Sequence, residues 1–294
     1  MNKTLLVAAT AAVSVSASVA PAQETATVGF AIALSGFIQP FDDGPYRGAQ
    51  LAIADINASG GVLGRQIEAV AADTASDFGQ GTIAGTEVVG AGADLVMVTC
   101  DFDFGAPAAL VAQAADRIVF SSCAAAAQFG VQGIGPNAYT MSSATQAQGA
   151  ILAEYAVNEL GADTAIMLKD LDVQYTQSLC DSFEERYSEL RSDGVVLLET
   201  FNVNAEPVIS AQLSRVAEAQ DGAEVLMFCG AINGGSYVRQ IRAAGIDLPI
   251  LAGEAMDGAY WLEAVPGLSD FYHLTYGSIF GNDPDAQVND FVAR

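Results

Sequence analysis

The chain has 294 residues, with 35 acidic side chains against 11 basic ones and a formal net charge of −24. That balance excludes nucleic acid and anionic membrane surfaces as partners, because both are held through Lys and Arg. Hydrophobic residues make up 51% of the sequence, so a large core is available and intrinsic disorder is excluded.

The first residues read as a secretory signal. Lys3 supplies the charged start, residues 5–19 are apolar and small, and Ala20-Pro21-Ala22 stands before Gln23 as a cleavage site. The apolar run is too short for a membrane span. The first cysteine after the cleavage site is Cys100, so no lipid anchor is expected. Residues 1–22 are therefore expected to be removed, with cleavage near Ala22 and a free chain in an oxidising compartment.

Strand and helix patterns then alternate. The first half predicts strands near residues 27–34, 66–71, 94–99 and 118–121, with helices near 45–58, 79–90 and 106–116. In the first helix, Pro45 fits a first helical position and Asp42 and Asp43 precede it. Tyr46, Ala49, Ile53 and Ile56 share one apolar face. Asn57, Ser59, Gly60 and Gly61 end the helix, with glycine able to take the left-handed cap. The second half predicts strands near 164–168, 195–201, 224–228 and 249–252, and helices near 144–160, 176–191, 207–219 and 235–244. Short apolar strands separated by helices mean parallel sheets covered on both faces. Two such halves give two lobes, 23–141 and 142–277, joined through YTMSSAT at 139–145. Residues 278–294 begin a return to the first lobe.

Parallel α/β sheets bind ligands beyond the carboxyl ends of their strands. That rule selects Ser35, Asp101, Phe102, Asp103, Ser122, Ala124 and Ala125 in the first lobe, and Tyr175, Asn233, Glu254 and Asp257 in the second. Helix N-termini beside these loops suit a carboxylate. Glu254 and Asp257 offer the opposite charge to an ammonium group. Phe102, Phe104 and Tyr175 could wall an apolar or cationic side chain. Asp101 and Asp103 have two readings, as caps of the following helix or as ligand contacts. Glu254 could also be a solvated loop carboxylate.

Enzyme chemistry finds little footing. The one histidine is His273, and no G-x-S-x-G elbow, C-x-x-C or H-E-x-x-H is present. The glycine-rich run 79–85 departs from the dinucleotide fingerprint in spacing and follows the second strand. A hydrolase pairing Asp101 or Asp103 with Glu254 would need a raised carboxyl pKa in a closed cleft. No cofactor and no metal are expected. Of the four cysteines, Cys100 and Cys123 end strands expected to be neighbours, and Cys180 and Cys229 belong to the second lobe. Each pair could bridge or stay as buried thiols.

Several matched positions carry a family resemblance. They are Ser35-Gly36 after the first strand, Ile56-Asn57, Gly60-Gly61 and Gly64-Arg65 around the helix end, and Asp73-Thr74-Ala75-Ser76-Asp77 after the second strand. In this order they resemble the type I periplasmic solute-binding proteins of ABC importers, in the leucine/isoleucine/valine-binding branch. The resemblance implies an α/β fold of two Rossmann-like lobes with parallel sheets, joined by a hinge that closes on a small-molecule solute. It also implies a monomer in the periplasm that delivers a small amino acid, or a related amine or amide, to an ABC permease in the inner membrane. A ligand-sensing receptor or regulator domain of the same fold is the alternative. On the family pattern Glu254 receives the ligand's α-ammonium, Tyr175 lies over the ligand, and the backbone of Ala124 and Ala125 helps hold the α-carboxylate. Two departures matter. The family's hydroxyl-bearing residues after the third strand are replaced by Cys100-Asp101-Phe102-Asp103-Phe104, and its usual glycine and threonine in the carboxylate loop by Cys123 and Ala125. Either Asp101 and Asp103 turn away from a ligand carboxylate, or the ligand is not an ordinary α-amino acid. The family also crosses between lobes a third time, so the resemblance implies a chain lacking its C-terminal part.

Overall fold

A computed structural model describes residues 25–294, so the signal segment lies outside the described residues. The first sheet contains β1 (Ala26–Ile32), β2 (Ile67–Asp73), β3 (Leu95–Val98), β4 (Ile118–Ser121) and β5 (Ala138–Thr140), in the order β2-β1-β3-β4-β5. All its pairings are parallel. The second contains β6 (Ala165–Asp170), β7 (Val195–Phe201), β8 (Val225–Cys229), β9 (Ile250–Ala252) and β10 (Phe271–His273), in the order β10-β9-β8-β6-β7, again all parallel. The helices are α1 (Gln39–Ala58), α2 (Phe78–Gly90), α3 (Phe102–Ala114), α4 (Thr145–Asn158), α5 (Gln174–Leu190), α6 (Ser210–Ala219), α7 (Gly234–Ala243) and α8 (Ala286–Val292). This is the two-lobed α/β fold expected from the alternation of strand and helix.

The two cores differ in kind. The first lobe packs small side chains, with Ala84, Ala108, Ala109 and Ala112 buried between α2, α3 and the sheet. Gly85 lets these helices approach, since a Cβ there would lie 2.8 Å from the Ala108 backbone. The second lobe packs large ones, with Phe183, Tyr187, Phe201, Phe228 and Tyr237 all buried. A disulfide between Cys180 on α5 and Cys229 at the end of β8 crosses that core.

α1 begins six residues before the position that Pro45 suggests. Its early proline is Pro40, and Pro45 lies inside the helix, where it removes one backbone donor. The reason for the early start is Asp42. Its side chain is only 3% exposed, and it accepts hydrogen bonds from the backbone N–H of Ala33 (2.7 Å) and of Cys100 (2.7 Å). Asp42 thus joins the carboxyl ends of β1 and β3 and anchors the helix's first turn between them. The other end of α1 follows the glycine pattern. Gly60 and Gly61 have φ of 104° and 82°, and Gly61 N–H donates to the carbonyl of Ile56. Asn57 pairs with both backbone groups of Ile67, fixing the helix end against β2.

The chain leaves the first lobe after β5 and re-approaches it after β10. α8 lies against α1, where Arg294 forms a bidentate pair with Asp55 at 2.7 and 2.8 Å. β5 and β10, each three residues long, were not predicted; AYT and FYH lack the wholly apolar run that marks the equally short β9.

Candidate functional site

Each sheet changes direction of winding once, between β1 and β3 in the first lobe and between β6 and β8 in the second. The crevices at the carboxyl ends of those strands face one another and enclose a cavity of about 250 Å³. Ile38, Pro40, Phe41, Cys100, Asp101, Cys123 and Ala125 line it from the first lobe. Val173, Tyr175, Ala231, Ile232, Glu254, Ala255, Asp257, Gly258 and Tyr260 line it from the second. The lobes are closed over it. Asp103 at the start of α3 accepts from the backbone N–H of Gln174 at the start of α5 (2.8 Å). The Gln128 side chain donates to that of Gln174 (3.0 Å), and the rings of Phe41 and Tyr260 meet edge to face at 6.0 Å.

Of the predicted contacts, Asp101, Ala125, Tyr175, Glu254 and Asp257 reach the cavity wall. The others are placed elsewhere. Ser35 is exposed and donates to Asp73 at 2.6 Å. Phe102 packs on the first lobe's core, and Ala124 is buried within it. Ser122 lies beside the Cys123 sulfur. Asn233 is exposed, in the left-handed conformation that starts α7. Asp103 is the interlobe tie just described. Phe104 stacks on Phe78 with ring centres 4.6 Å apart. The aromatic wall is made instead by Phe41 and Tyr260 with Tyr175. Phe41 was missed because Gly44 and Pro45 read as loop, and Tyr260 because nothing beyond its nearness to Glu254 marks it.

Glu254 sits just past the end of β9, where Gly253 provides room; a Cβ there would strike the Tyr175 hydroxyl at 2.2 Å. One carboxylate oxygen, Oε1, accepts from Ser142 Oγ at 2.5 Å. Tyr276 OH lies 3.1 Å from the same Ser142 hydroxyl and accepts from Ser143 N–H at 2.7 Å. Glu254 is thereby tied to both stretches that pass between the lobes. Its other oxygen, Oε2, is buried and has no hydrogen-bond partner. Burial raises its pKa, and the hydrogen bond from Ser142 opposes that shift. Tyr175 offers the cavity its ring, not its hydroxyl, which donates to Gln148 (3.3 Å) and accepts from Ala255 N–H (3.2 Å). Asp257 accepts from Thr275 (2.8 Å) and lies 4.0 Å from His273.

Asp101 fills both of its alternative readings. Its carboxylate caps α3 by accepting from Phe104 N–H, and it also lines the cavity. Burial first, then repulsion from Asp103, pushes its pKa up to about 7, while burial pushes Asp42 up to about 6. Cys100 and Cys123 are joined as a disulfide, Cα to Cα 4.9 Å, across the ends of β3 and β4. Among the described residues, no cluster of His, Cys, Asp and Glu could hold a metal ion, and no helix is long and apolar enough to cross a membrane.

The family described as Periplasmic binding protein matches residues 25–294. The chain belongs to the periplasmic binding protein family. A Leu/Ile/Val-binding protein homolog of Brucella melitensis is 25% identical over 266 residues, which is 90% of this chain and 68% of that one. The branched-chain amino acid transporter substrate binding protein LivJ of Streptococcus pneumoniae, solved in complex with isoleucine, superposes with a TM-score of 0.81 at 25% identity. That match covers 92% of this chain and 76% of LivJ. A solute binding protein of Rhodopseudomonas palustris in complex with benzoate shares the fold at a TM-score of 0.74 and 17% identity, covering 92% and 74% of the two chains. This periplasmic binding protein is thus a type I member of the leucine/isoleucine/valine-binding branch, a solute-binding protein and not an enzyme.

The raised carboxyl groups of Asp42 and Asp101 give a stability prediction for the unliganded periplasmic binding protein. Asp42 and Asp101 hold protons more tightly folded than unfolded. Their contribution is therefore greatest at acid pH and is lost as pH rises through about 6 and 7. Replacing Asp101 by Asn removes one of them. The wild type should lose on the order of 2 kcal/mol more stability than Asp101→Asn between about pH 5 and pH 8. Urea unfolding of both proteins at the two pH values checks this; parallel losses would refute it.

Proposed function

We propose that this chain is the extracytoplasmic solute-binding component of an ABC importer. It captures a small amino acid, or a related amine or amide, between its lobes in the periplasm. As a monomer it then presents the closed form to a permease in the inner membrane, where the solute is released. The observation that carries the reading is Glu254. The residue lines the interlobe cavity, one oxygen is tied to both interlobe stretches through Ser142, and the other is buried and unpartnered. A cationic group reaching Oε2 would complete its hydrogen bonding and hold it in the closed arrangement. Closure by rigid rotation about the hinge follows. The names of the relatives, binding proteins for leucine, isoleucine and valine or for branched-chain amino acids, support the amino-acid class.

A thermal-shift panel of amino acids, amides, amines and aromatic acids tests the reading. A ligand of the folded state at a hundredfold excess over its dissociation constant should stabilise by about 2.7 kcal/mol. The same solute should reduce the radius of gyration as the lobes close. A panel in which no solute shifts the melt would overturn it.

A further inference from the structure

The geometry points to a narrower ligand class: a small organic ammonium compound that carries no carboxylate. This rests on the reading of the interlobe cavity as the solute site.

Two independent features of the wall support it. The first is charge. Asp101, Glu254 and Asp257 line the cavity, and none of its described lining residues is Lys, Arg or His. A ligand carboxylate would therefore find no counter-charge in this partly dry space, and whichever of the three carboxyl groups is ionised would repel it. A cation has the opposite fate, since Glu254 Oε2 is a buried acceptor without a donor. Phe41, Tyr175 and Tyr260 add ring faces and edges around it, and aromatic rings attract ammonium groups.

The second feature is the supply of donors. A ligand carboxylate needs free N–H or O–H groups at the strand ends, and in the first lobe the chain's own side chains have taken several of them. Asp42 accepts from Ala33 N–H and Cys100 N–H at the switch point of the first sheet. The N-terminus of α3 is capped by Asp101 and that of α5 is met by Asp103. Beyond β4, the Ser121 hydroxyl donates to the Thr99 carbonyl and accepts from Ala124 N–H. The remaining wall at this rim is the Cys100–Cys123 disulfide, whose sulfurs have no proton to donate. The N-terminal N–H groups of α3 and α5, which would suit an anion, are therefore met by internal carboxylates, while Glu254 Oε2 remains an acceptor without a donor. A cavity of about 250 Å³, room for roughly eight water molecules, suits a small ligand.

Three compounds sharing one branched alkyl group isolate the charge pattern: isopentylamine, leucine and 4-methylpentanoate. Calorimetry with the full mature chain should show isopentylamine binding at least about tenfold more tightly than leucine, which at equal contacts is one decade in dissociation constant. 4-Methylpentanoate should not bind. In Glu254→Gln, which keeps an acceptor for Ser142 but removes the charge, isopentylamine should weaken by about tenfold or more. Leucine or 4-methylpentanoate binding as tightly as the amine would overturn the inference while leaving the interlobe solute site intact. Silence from all three would also overturn it, and the broader panel would then decide whether the cavity binds solutes at all.

Discussion

Replacing Glu254 by alanine is expected to cost about 2–5 kcal/mol of solute binding, the range found when one partner of a desolvated charge pair is removed. Two losses combine. The ligand's cationic group loses its buried acceptor, Oε2, and finds no replacement among the lining aromatic residues. The hinge loses the carboxylate that accepts from Ser142, so Ser142 and Tyr276 are no longer held to the second lobe's wall. The first loss lowers affinity directly. The second raises the share of open protein, which lowers apparent affinity again because only the closed form completes the site. Folding should change far less, since Glu254 is a half-buried loop residue outside both cores. Calorimetry with whichever solute gives the largest thermal shift measures the first quantity, and urea unfolding the second. Unchanged affinity would show that Glu254 is a structural tie of the hinge and no part of the ligand's seat.

Much of this architecture was legible in the residues, and what was not has physical causes. Runs such as 165–168 and Val225–Cys229 are apolar from end to end, as a strand covered on both faces requires. Strand ends then located Asp101, Tyr175, Glu254 and Asp257 through the rule for parallel sheets. The helix starts were harder. α3 begins at Phe102, not at the residue before Pro107, because Asp101 supplies the cap four residues earlier than proline does. α1 begins at Gln39 because a buried Asp42 must reach two strand ends, a tertiary demand with no local signature. The same limit applies to the wall. Ser35 and Asn233 stand at strand ends as the rule asks, but Ser35 turns to Asp73, and Asn233 takes φ 55° to begin α7. Phe41 and Tyr260 reach the cavity from the opposite lobes and meet only when these close. Sequence order places them far apart, so no spacing could pair them.

Removing the Cys180–Cys229 disulfide is expected to be the most destabilising change in the second lobe. Both cysteines are fully buried, with Cα atoms 5.7 Å apart and a sequence separation of 49. The chain-entropy account of a loop of that length gives about 4 kcal/mol, and measured losses for native bridges run about 2–5 kcal/mol. The location argues for the upper part of that range. Cys180 lies on the face of α5 that packs with Leu179 and Phe183, and Cys229 closes β8, whose five residues are all buried. Alanine at both positions would also leave space where two sulfurs stood, in a core that relaxes only in part. The consequence should reach the site. The N-terminus of α5 carries Gln174 and Tyr175, and β8 runs straight into Ala231 and Ile232 on the cavity wall. Loosening the joint between α5 and β8 should therefore weaken solute binding as well as folding. The Cys180→Ala, Cys229→Ala double variant should unfold at a much lower urea concentration. Its early transition should belong to the second lobe, which Trp261 fluorescence reports because that tryptophan is buried there against Phe271. A double variant with the wild-type urea midpoint would show that the bridge contributes nothing to the fold.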